Sequence, residues 1–412
     1  MLWQPSLPER YLTMPADQLG PAIDARRHEL GDKLIILGHH YQTDEVIRHA
    51  DFTGDSLKLS QLAAERVRER GARYIVFCGV HFMAESADLL APEGTQVILP
   101  DLSAGCSMAD MAAYEDAVEA WDSIHESLRE QGWSGRVIPI TYVNSSAAVK
   151  AFVGSHGGSC CTSSNARRVF EWAMAGGDSG SPVRTSQSSK AASRGRKKED
   201  IKVLFLPDQH LGRNTAASMG VNVKTESCVY DPRRAAKGEA LGGATPDQLL
   251  RSKVILWAGH CSVHKLFRPE HCEQVRAADP TMKILVHPEC CKEVVDLADL
   301  AGSTEFIIKT IREAPPGSRW AVGTEVHLVN RLAREATDRR VHVRILSDCQ
   351  CLCTTMYRID EPHLLWVLDN LAEGKVVNRI RVHDQAREPA LASLNTMLAL
   401  SEKHTPVATI VD

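Results

Sequence analysis

Cysteine is the residue type with the greatest chemical potential in this sequence. A chain of 412 residues contains twelve cysteines, which are Cys78, Cys106, Cys160, Cys161, Cys228, Cys261, Cys272, Cys290, Cys291, Cys349, Cys351 and Cys353. The first twenty residues lack the basic region and apolar stretch of a secretory signal peptide. Because thiols of a chain that is not exported stay reduced, the sequence favours metal ligation, catalysis or burial over a disulfide framework.

The spacing of the cysteines does not match a zinc site. Zinc sites usually contain close pairs such as Cys-x-x-Cys, and the adjacent pairs at 160–161 and 290–291 point apart in most backbone conformations. In the run from Cys349 to Cys353, an extended backbone would turn Cys351 away from the other two thiols. No local segment therefore supplies a full ligand set.

Three cysteines lie in comparable loops far apart in the sequence. Cys106 lies in DLSAGCSMAD, Cys261 in LWAGHCSVH and Cys351 in SDCQCLCTTMYRID. Thiolates from separate segments that meet at one interface would hold an iron–sulfur cluster. With only three such ligands, one iron would stay open to bind substrate.

These loops follow short apolar runs that predict the scaffold. The runs lie at residues 33–37, 74–77, 97–99, 137–140, 203–206, 254–257 and 283–286. They alternate with helical stretches such as 58–70, which predicts buried parallel strands in an α/β fold. Ligands bind at the carboxyl ends of parallel strands, so the polar loop residues predict one site assembled from several segments. The alternative is that they serve only as turn and helix-cap residues.

Bulk composition narrows the class of protein. The chain is 43% hydrophobic and 24% charged, with a net charge of -4. This is a globular composition without the basic excess of a nucleic-acid binder, and its length suggests two or three domains. No apolar run reaches the roughly 18 residues that a membrane span needs. Residues 175–200 are rich in Ser and Gly and predict a disordered surface insertion.

A series of motifs resembles the quinolinate synthase family. In chain order they are GHHYQTDEVIRHADFTGDSLKLSQLAA, VFCGVHFMAESADLL, ILPDLSAGCSMADM, TYVNSSAAVKA, CCTSSNA, LPDQHLGRN, LWAGHCSVH, VHPECCKEVVDLAD, AGSTEFII, VGTEVHLVNRL and MYRIDEPHLLWVLDNLAEG. The resemblance runs from about Leu34 to Leu400. It is closest to the longer branch of the family, which carries an extra stretch in the middle third.

The resemblance implies a fold of three similar αβα units around a pseudo-threefold axis. The expected boundaries are 1–120, 121–265 with the insertion at 175–200, and 266–412. Each unit would give one cysteine to a 4Fe–4S cluster. The implied reaction is a condensation of iminoaspartate with dihydroxyacetone phosphate that forms quinolinate for NAD biosynthesis, in the cytoplasm. The implied partners are these small molecules and an aspartate-oxidising enzyme that supplies iminoaspartate, with no nucleic acid and no membrane.

The resemblance also identifies metal ligands. Cys106 and Cys261 match the first two ligand cysteines of the family. Counting back five residues from Met356, where the family has its Met-Asn pair, gives Cys351 as the third. Because this chain has Tyr357 in place of the usual Asn, Cys353 and Cys349 stay open as alternatives.

The site residues that the resemblance implies are polar and lie after predicted strands. Those implied to bind substrate are His39, Ser56, Tyr142, Asn144, Ser163, His287, Glu289 and Thr304. Tyr41, Glu289, His39 and His287 are the expected catalytic residues, because these types exchange protons and Glu289 could also ligate the open iron. The alternatives are N-caps for Ser56, Ser163 and Thr304, and buried aromatic residues for Tyr41 and Tyr142.

Two other functions remain open from the sequence. One is a zinc- or thiol-dependent α/β hydrolase that uses Cys290 or Cys291 beside His287. The other is a non-catalytic iron–sulfur sensor with four protein ligands. A colourless protein would indicate the hydrolase, and a coloured protein without condensation activity would indicate the sensor.

Overall fold

A computed structural model describes residues 4–177, 199–348 and 351–401. The described residues divide into two compact units. Unit 1 comprises 4–109, 261–348 and 351–387, and unit 2 comprises 110–177, 199–260 and 388–401. Most of the predicted insertion, residues 178–198, lies outside the described residues. The three-unit boundaries stay a prediction.

The described strands are short. They are β1 (Leu34–His39), β2 (Phe52–Gly54), β3 (Tyr74–Cys78), β4 (Gln96–Ile98), β5 (Arg136–Tyr142), β6 (Ser159–Cys161), β7 (Ile201–Leu206), β8 (Ser227–Tyr230), β9 (Val254–Trp257), β10 (Lys283–Val286), β11 (Leu300–Ala301), β12 (Arg319–Gly323), β13 (His342–Ile345) and β14 (Arg379–Ile380). Five of these strands, β1, β3, β6, β7 and β9, are buried along their whole length. Each of the seven predicted apolar runs coincides with a strand. Burial on both faces explains their continuous apolar character.

The helices lie between the strands along the chain. They are α1 (Glu9–Leu12), α2 (Ala16–Leu30), α3 (Asp44–Ile47), α4 (Ser56–Arg70), α5 (His81–Leu90), α6 (Tyr114–Glu130), α7 (Ala147–Ser155), α8 (Ala166–Met174), α9 (Gln209–Ser218), α10 (Pro232–Ala235), α11 (Pro246–Arg251), α12 (Pro269–Ala278), α13 (Lys292–Leu297), α14 (Thr304–Arg312), α15 (Val326–Ala336), α16 (Glu361–Ala372) and α17 (Asp384–Ser401). Short 3₁₀ helices occur at Gly31–Lys33, Ala109–Met111, Ala240–Gly243, His264–Leu266, Thr337–Arg339 and Met356–Arg358. None of the described helices has the length and apolar character that crossing a membrane requires.

Three sheets share the arrangement of their first three strands, which confirms the predicted α/β fold of repeated αβα layers. Unit 1 contains the sheets β14-β4-β3-β1-β2 and β11-β10-β12-β13, and unit 2 contains β6-β5-β7-β9-β8. In each sheet the first strand in sequence lies between the second and the third, and a later strand pairs with the third. Every pairing is parallel except that of β14 with β4. The repeated order brings the polar loops to comparable strand ends in each sheet.

Local signals explain where the helices begin and end. The side chain of Asp55 accepts a hydrogen bond from the amide of Lys58 at the start of α4, a common N-cap arrangement. The helix ends at Gly71, whose φ of 67° lies in the left-handed region that glycine tolerates best. The predicted helix at 58–70 is therefore confirmed and begins two residues earlier.

The N-terminal helices of unit 1 are joined to α16 by partly buried polar contacts. The phenol of Tyr11, a residue only 1% exposed, donates to Oδ2 of Asp369 on α16 at 2.8 Å. Arg26 on α2 donates to the other carboxylate oxygen of Asp369 at 2.7 Å. The bond from the buried Tyr11 phenol to this carboxylate contributes about 1.5–3 kcal/mol, whereas the Arg26 pair, whose arginine side chain is 41% exposed, contributes about 1 kcal/mol or less. The N-terminal helices are thus tied to residues more than 340 positions away.

Candidate active site

The polar residues of unit 1 gather at the carboxyl ends of β1 and β10. His39 is the last residue of β1, and His287 directly follows β10. Each of these strands is the first of its sheet in sequence, and it lies between a short edge strand and the third strand. Glu289 comes two residues after His287 and is only 3% exposed. The structure therefore brings these predicted residues to equivalent places in two sheets.

The two histidines have the same local geometry. Nδ1 of His39 accepts the backbone N–H of Tyr41 at 3.2 Å, and Nδ1 of His287 accepts that of Glu289 at 3.3 Å. Burial lowers the pKa of each imidazole to about 3, assisted by His40 for His39 and by His264 for His287. Both rings are therefore neutral at pH 7, with the proton on Nε2. Each ring presents an Nε2–H donor rather than a cation.

Tyr41 lies close to His39 and is held by two threonines. Its hydroxyl is 2.9 Å from Oγ1 of Thr324 and 3.3 Å from Oγ1 of Thr304. The ring meets His39 edge-on, with 4.7 Å between ring centroids. Burial raises the pKa of Tyr41 well above its usual value, and the carboxylate of Glu289 adds to that increase. The phenol is thus neutral and hydrogen-bonded.

A continuous set of hydrogen bonds joins Tyr41 to Glu289. From the Tyr41 hydroxyl it passes to Thr324, then to Nε2 of His264 at 3.3 Å. Nδ1 of His264 lies 2.9 Å from Oε2 of Glu289. The ring of His264 stacks on that of His287, with centroids 4.4 Å apart and planes at 13°. Sequence reasoning missed both His264 and Thr324.

Two predicted ligand cysteines occupy matching turns. Cys106 precedes the 3₁₀ helix Ala109–Met111 by three residues, and Cys261 precedes His264–Leu266 by the same spacing. Burial raises the pKa of Cys106 to about 12, and a hydrogen bond from the Ala109 amide partly offsets this. Burial also raises the pKa of Cys261 well above its usual value, and the amide of His264 acts in the opposite direction. Both sulfurs therefore accept a backbone N–H from the turn that follows.

The third turn of this kind follows Cys353 rather than Cys351. Cys353 precedes the 3₁₀ helix Met356–Arg358 by three residues, and the Met356 amide hydrogen-bonds its sulfur. Cys351 is completely buried in an apolar core, where its Sγ lies 3.2 Å from Oγ of Ser347. The count from Met356 in the sequence selected Cys351. In the structure, Cys351 does not have the backbone arrangement of Cys106 and Cys261, because no 3₁₀ helix begins three residues after it. Cys349 lies outside the described residues.

Electrostatic interactions connect the three turn cysteines. Besides burial, a negative charge on Cys353 raises the pKa of Cys106, and charges on Cys353 and Cys106 raise that of Cys261. Glu289 also raises the pKa of Cys106 and of Cys261. Donor atoms of Cys261, His264 and Glu289 lie within 4.8 Å of one another. Three thiols and a carboxylate thus share one region of unit 1.

Ser56 and Thr304 lie next to N-caps without being N-caps themselves. Asp55 caps α4 and Ser303 caps α14, whose Phe306 amide donates to the Ser303 hydroxyl at 3.3 Å. Thr304 instead contacts Tyr41. Ser56 follows β2, where Gly54 pairs in register with His39. The N-cap interpretation therefore does not account for either hydroxyl.

Three further predicted residues belong to unit 2. Tyr142 ends β5, Asn144 follows two residues later, and Ser163 lies two residues after β6. Oδ1 of Asn144 is buried and has no hydrogen-bond partner among the residues that the structure describes. The three thus lie at neighbouring strand ends of their own sheet. Whether they act together with the residues of unit 1 stays a prediction.

The remaining thiols do not resemble nucleophiles. Burial raises the pKa of Cys290 well above its usual value, as it does for Cys161. A nucleophilic cysteine needs the opposite shift, so the Cys290 form of the hydrolase hypothesis has no support. Cys291 is partly exposed, and burial raises its pKa too.

Sequence comparisons agree with the resemblance over nearly the whole chain. The family described as "Quinolinate synthetase A protein" matches residues 22–181 and 180–399. A quinolinate synthase of Acidobacterium capsulatum is 49% identical over 393 residues, which are 95% of each chain. Those of Rhodopirellula baltica and a Nocardioides species are 48% and 50% identical, covering 95% and 96% of this chain and 93% and 94% of theirs.

Proposed function

The chain belongs to the quinolinate synthase family and is an enzyme, and from this premise we propose that it condenses iminoaspartate with dihydroxyacetone phosphate. Atom balance requires that one phosphate and two water molecules leave as the pyridine ring of quinolinate closes. The observation that carries the proposal is the buried hydrogen-bonded series from Glu289 to Tyr41, beside three cysteine turns. Two dehydrations need groups that take up and release protons, and this series supplies them.

A 4Fe–4S cluster is the proposed cofactor, and the donor set fits it. Cys106, Cys261 and Cys353 come from separate segments, interact electrostatically, and each accept a backbone N–H at the sulfur. N–H donors to cysteine sulfur are typical of iron–sulfur sites, where they reduce the charge on the ligand. We therefore prefer Cys353 to the sequence-based choice of Cys351. When bound, a cluster with three cysteine ligands supplies a Lewis acid at its open iron.

The histidines would bind substrate rather than exchange protons. Because the imidazoles of His39 and His287 are neutral, their Nε2–H groups suit hydrogen bonds to the carboxylates of iminoaspartate. The hydroxyls of Ser56 and Thr304 would add donors in unit 1. Tyr142, Asn144 and Ser163 would contribute the corresponding groups of unit 2.

Proton transfer is the proposed task of Tyr41 and Glu289. Tyr41 is neutral, so its phenol is a proton donor to a leaving oxygen or a ring carbon. Glu289, as a carboxylate, would first act as the base that takes a proton from substrate. When Tyr41 gives up its own proton, the proton held by Glu289 can replace it through His264 and Thr324. Each link gives one hydrogen and receives another, so Thr324 needs no change of charge, and both Glu289 and Tyr41 return to their starting states.

Cysteine replacements test the cofactor and the reaction together. Cys353→Ser and Cys351→Ser form a matched pair two residues apart, and Cys261→Ala is the positive control for cluster loss. We expect anaerobically prepared C353S and C261A to lose visible absorption, most iron and sulfide, and quinolinate formation. C351S should retain all three. A full cluster in C353S together with loss in C351S would restore the sequence-based choice.

The setting of the reaction follows from the same chemistry. The proposed cluster and the reduced thiols suit the cytoplasm, which is where we expect the enzyme to work. Iminoaspartate must come from an enzyme that oxidises aspartate. Transfer through solution from such an enzyme is the expected route of supply.

A further inference from the structure

The loop between β1 and α3 carries the site but has few anchors of its own. It follows His39 and contains Tyr41. Within it, the amide of Gln42 donates to the carbonyl of His39 at 3.0 Å, and the amide of His40 reaches the carbonyl of Gly54 at 3.3 Å. The side chain of Gln42 is fully buried. Its side-chain amide atoms, Oε1 and Nε2, have no hydrogen-bond partner within the described parts of the chain. The loop therefore depends on groups from elsewhere.

Arg331 on α15 supplies three contacts to this loop. Its Nη1 donates to the carbonyl of His40 at 2.9 Å and its Nη2 to that of Gln42 at 2.6 Å. Its Nε donates to Oδ1 of Asp44 at 2.7 Å. The side chain of Arg331 is only 15% exposed, so these bonds are largely shielded from water. The guanidinium thus holds the backbone on both sides of Tyr41.

We propose that Arg331 is a positioning residue, which fixes His39 and Tyr41 in the geometry that catalysis needs. This inference rests on the proposed function. A planar guanidinium can reach two carbonyls and a carboxylate at fixed angles, whereas a lysine ammonium offers no such fork. Displacing a catalytic group by about 1 Å can cost roughly 100-fold in rate. Loss of the Arg331 contacts would allow a displacement of this kind.

Arg334 provides a matched control on the same helix. It contacts the other carboxylate oxygen of Asp44, but its side chain is 60% exposed, and in the part of the chain that the structure describes it makes no hydrogen bond to the loop carbonyls. Exposed ion pairs contribute little. Arg331→Gln and Arg334→Gln each remove one positive charge and one ion pair with Asp44. Only Arg331→Gln also removes the hydrogen bonds to the loop carbonyls.

The experiment compares the two variants by hydrogen exchange and by kinetics. In R331Q, we expect the amides of Tyr41 and Gln42 to exchange at least about 10-fold faster than in the parent protein. We also expect kcat for quinolinate formation to fall about 100-fold at unchanged iron content and far-ultraviolet circular dichroism. R334Q should stay within about twofold on both measurements. Arg331→Lys should resemble R331Q, because only the Asp44 contact can be kept.

Three results would overturn the inference. The first is unchanged exchange in R331Q, and the second is faster exchange with kcat unchanged. The third is an equal loss of kcat in R334Q, which would indicate a general effect of charge. If the parent protein makes no quinolinate while R331Q still loosens the loop, the proposed function fails and the Arg331 anchor remains.

Discussion

Thr324 offers the sharpest test of proton transfer between Tyr41 and Glu289. It is completely buried, and its hydroxyl is the link between the Tyr41 phenol at 2.9 Å and Nε2 of His264 at 3.3 Å. Thr324→Val keeps the shape of the side chain and removes only the hydrogen-bonding group. Thr324→Ser keeps the hydroxyl and removes a methyl group.

The size of the effect follows from these two bonds. A neutral hydrogen bond contributes about 1 kcal/mol, so T324V should lower the free energy of unfolding by about 2 kcal/mol. Tyr41 keeps its contact with Thr304, so the phenol stays in place. Loss of general acid–base transfer typically costs 10²–10⁴-fold, and we expect kcat to fall by about 100-fold or more. KM should stay within about threefold, since Thr324 is not among the proposed substrate ligands.

The assay measures anaerobic quinolinate formation and urea unfolding on samples of equal iron content. T324S should recover most of kcat, because its hydroxyl can restore both bonds. If T324V retains kcat within about threefold while losing the expected stability, the threonine is only structural and the proposed path is wrong. Equal losses in T324S and T324V would also refute it, since packing would then be the cause.

Three further predictions concern stability. The His39 imidazole has a pKa near 3 in the folded protein and about 6.5 in the unfolded protein, so between these values the unfolded state binds more protons and stability falls as the pH drops. His39→Gln should reduce this loss of stability by up to about 1.4 kcal/mol per pH unit, measured by urea unfolding at pH 6 and pH 5. An unchanged dependence of stability on pH would contradict the burial of a neutral His39. Gly259→Ala would push a Cβ against the carbonyl oxygen of Pro207, so urea unfolding should show a free energy of unfolding lowered by about 1–3 kcal/mol. An unchanged free energy would show that the backbone moves aside easily. Tyr11→Phe should cost about 2 kcal/mol in the same assay by removing the bond to Asp369, and a loss below about 0.5 kcal/mol would mean that water replaces it.

The predictable part of the fold was the part with long apolar runs. The strands β1 and β7 each contain an unbroken apolar run of four residues, and burial on both faces explains that run. The strands β2, β6 and β11 have only two or three residues and carry no pattern of their own. They form because a neighbouring long strand offers unpaired backbone groups. Tertiary context, rather than local propensity, defines them.

The same limit explains which site residues the sequence did not reveal. The strand β12, with sequence RWAVG, is not one of the predicted apolar runs, so the sequence does not point to Thr324, the polar residue at its end. Cys106, Cys261 and Cys353 are each followed by Ser or Thr, whereas Cys351 precedes Leu352, and this signal was available. Cys161 is also followed by a hydroxyl residue, Thr162, but no 3₁₀ helix begins three residues after it. The following residue alone therefore does not distinguish Cys161 from the three turn cysteines, whereas the turn does.

The division of unit 1 into two distant segments has a consequence for the order of folding. Its first segment ends at residue 109 and its second begins at 261, while most of unit 2 lies between them. Strand β4 pairs with β14, near residue 380, so one edge of the first sheet stays open until almost the whole chain is made. A pairing of such high contact order is slow to form and leaves the β4 edge exposed meanwhile. Every strand of unit 2 precedes residue 258, whereas unit 1 needs strands up to residue 380. Any cofactor held by residues 106, 261 and 353 must therefore be inserted late, into a chain that is nearly complete.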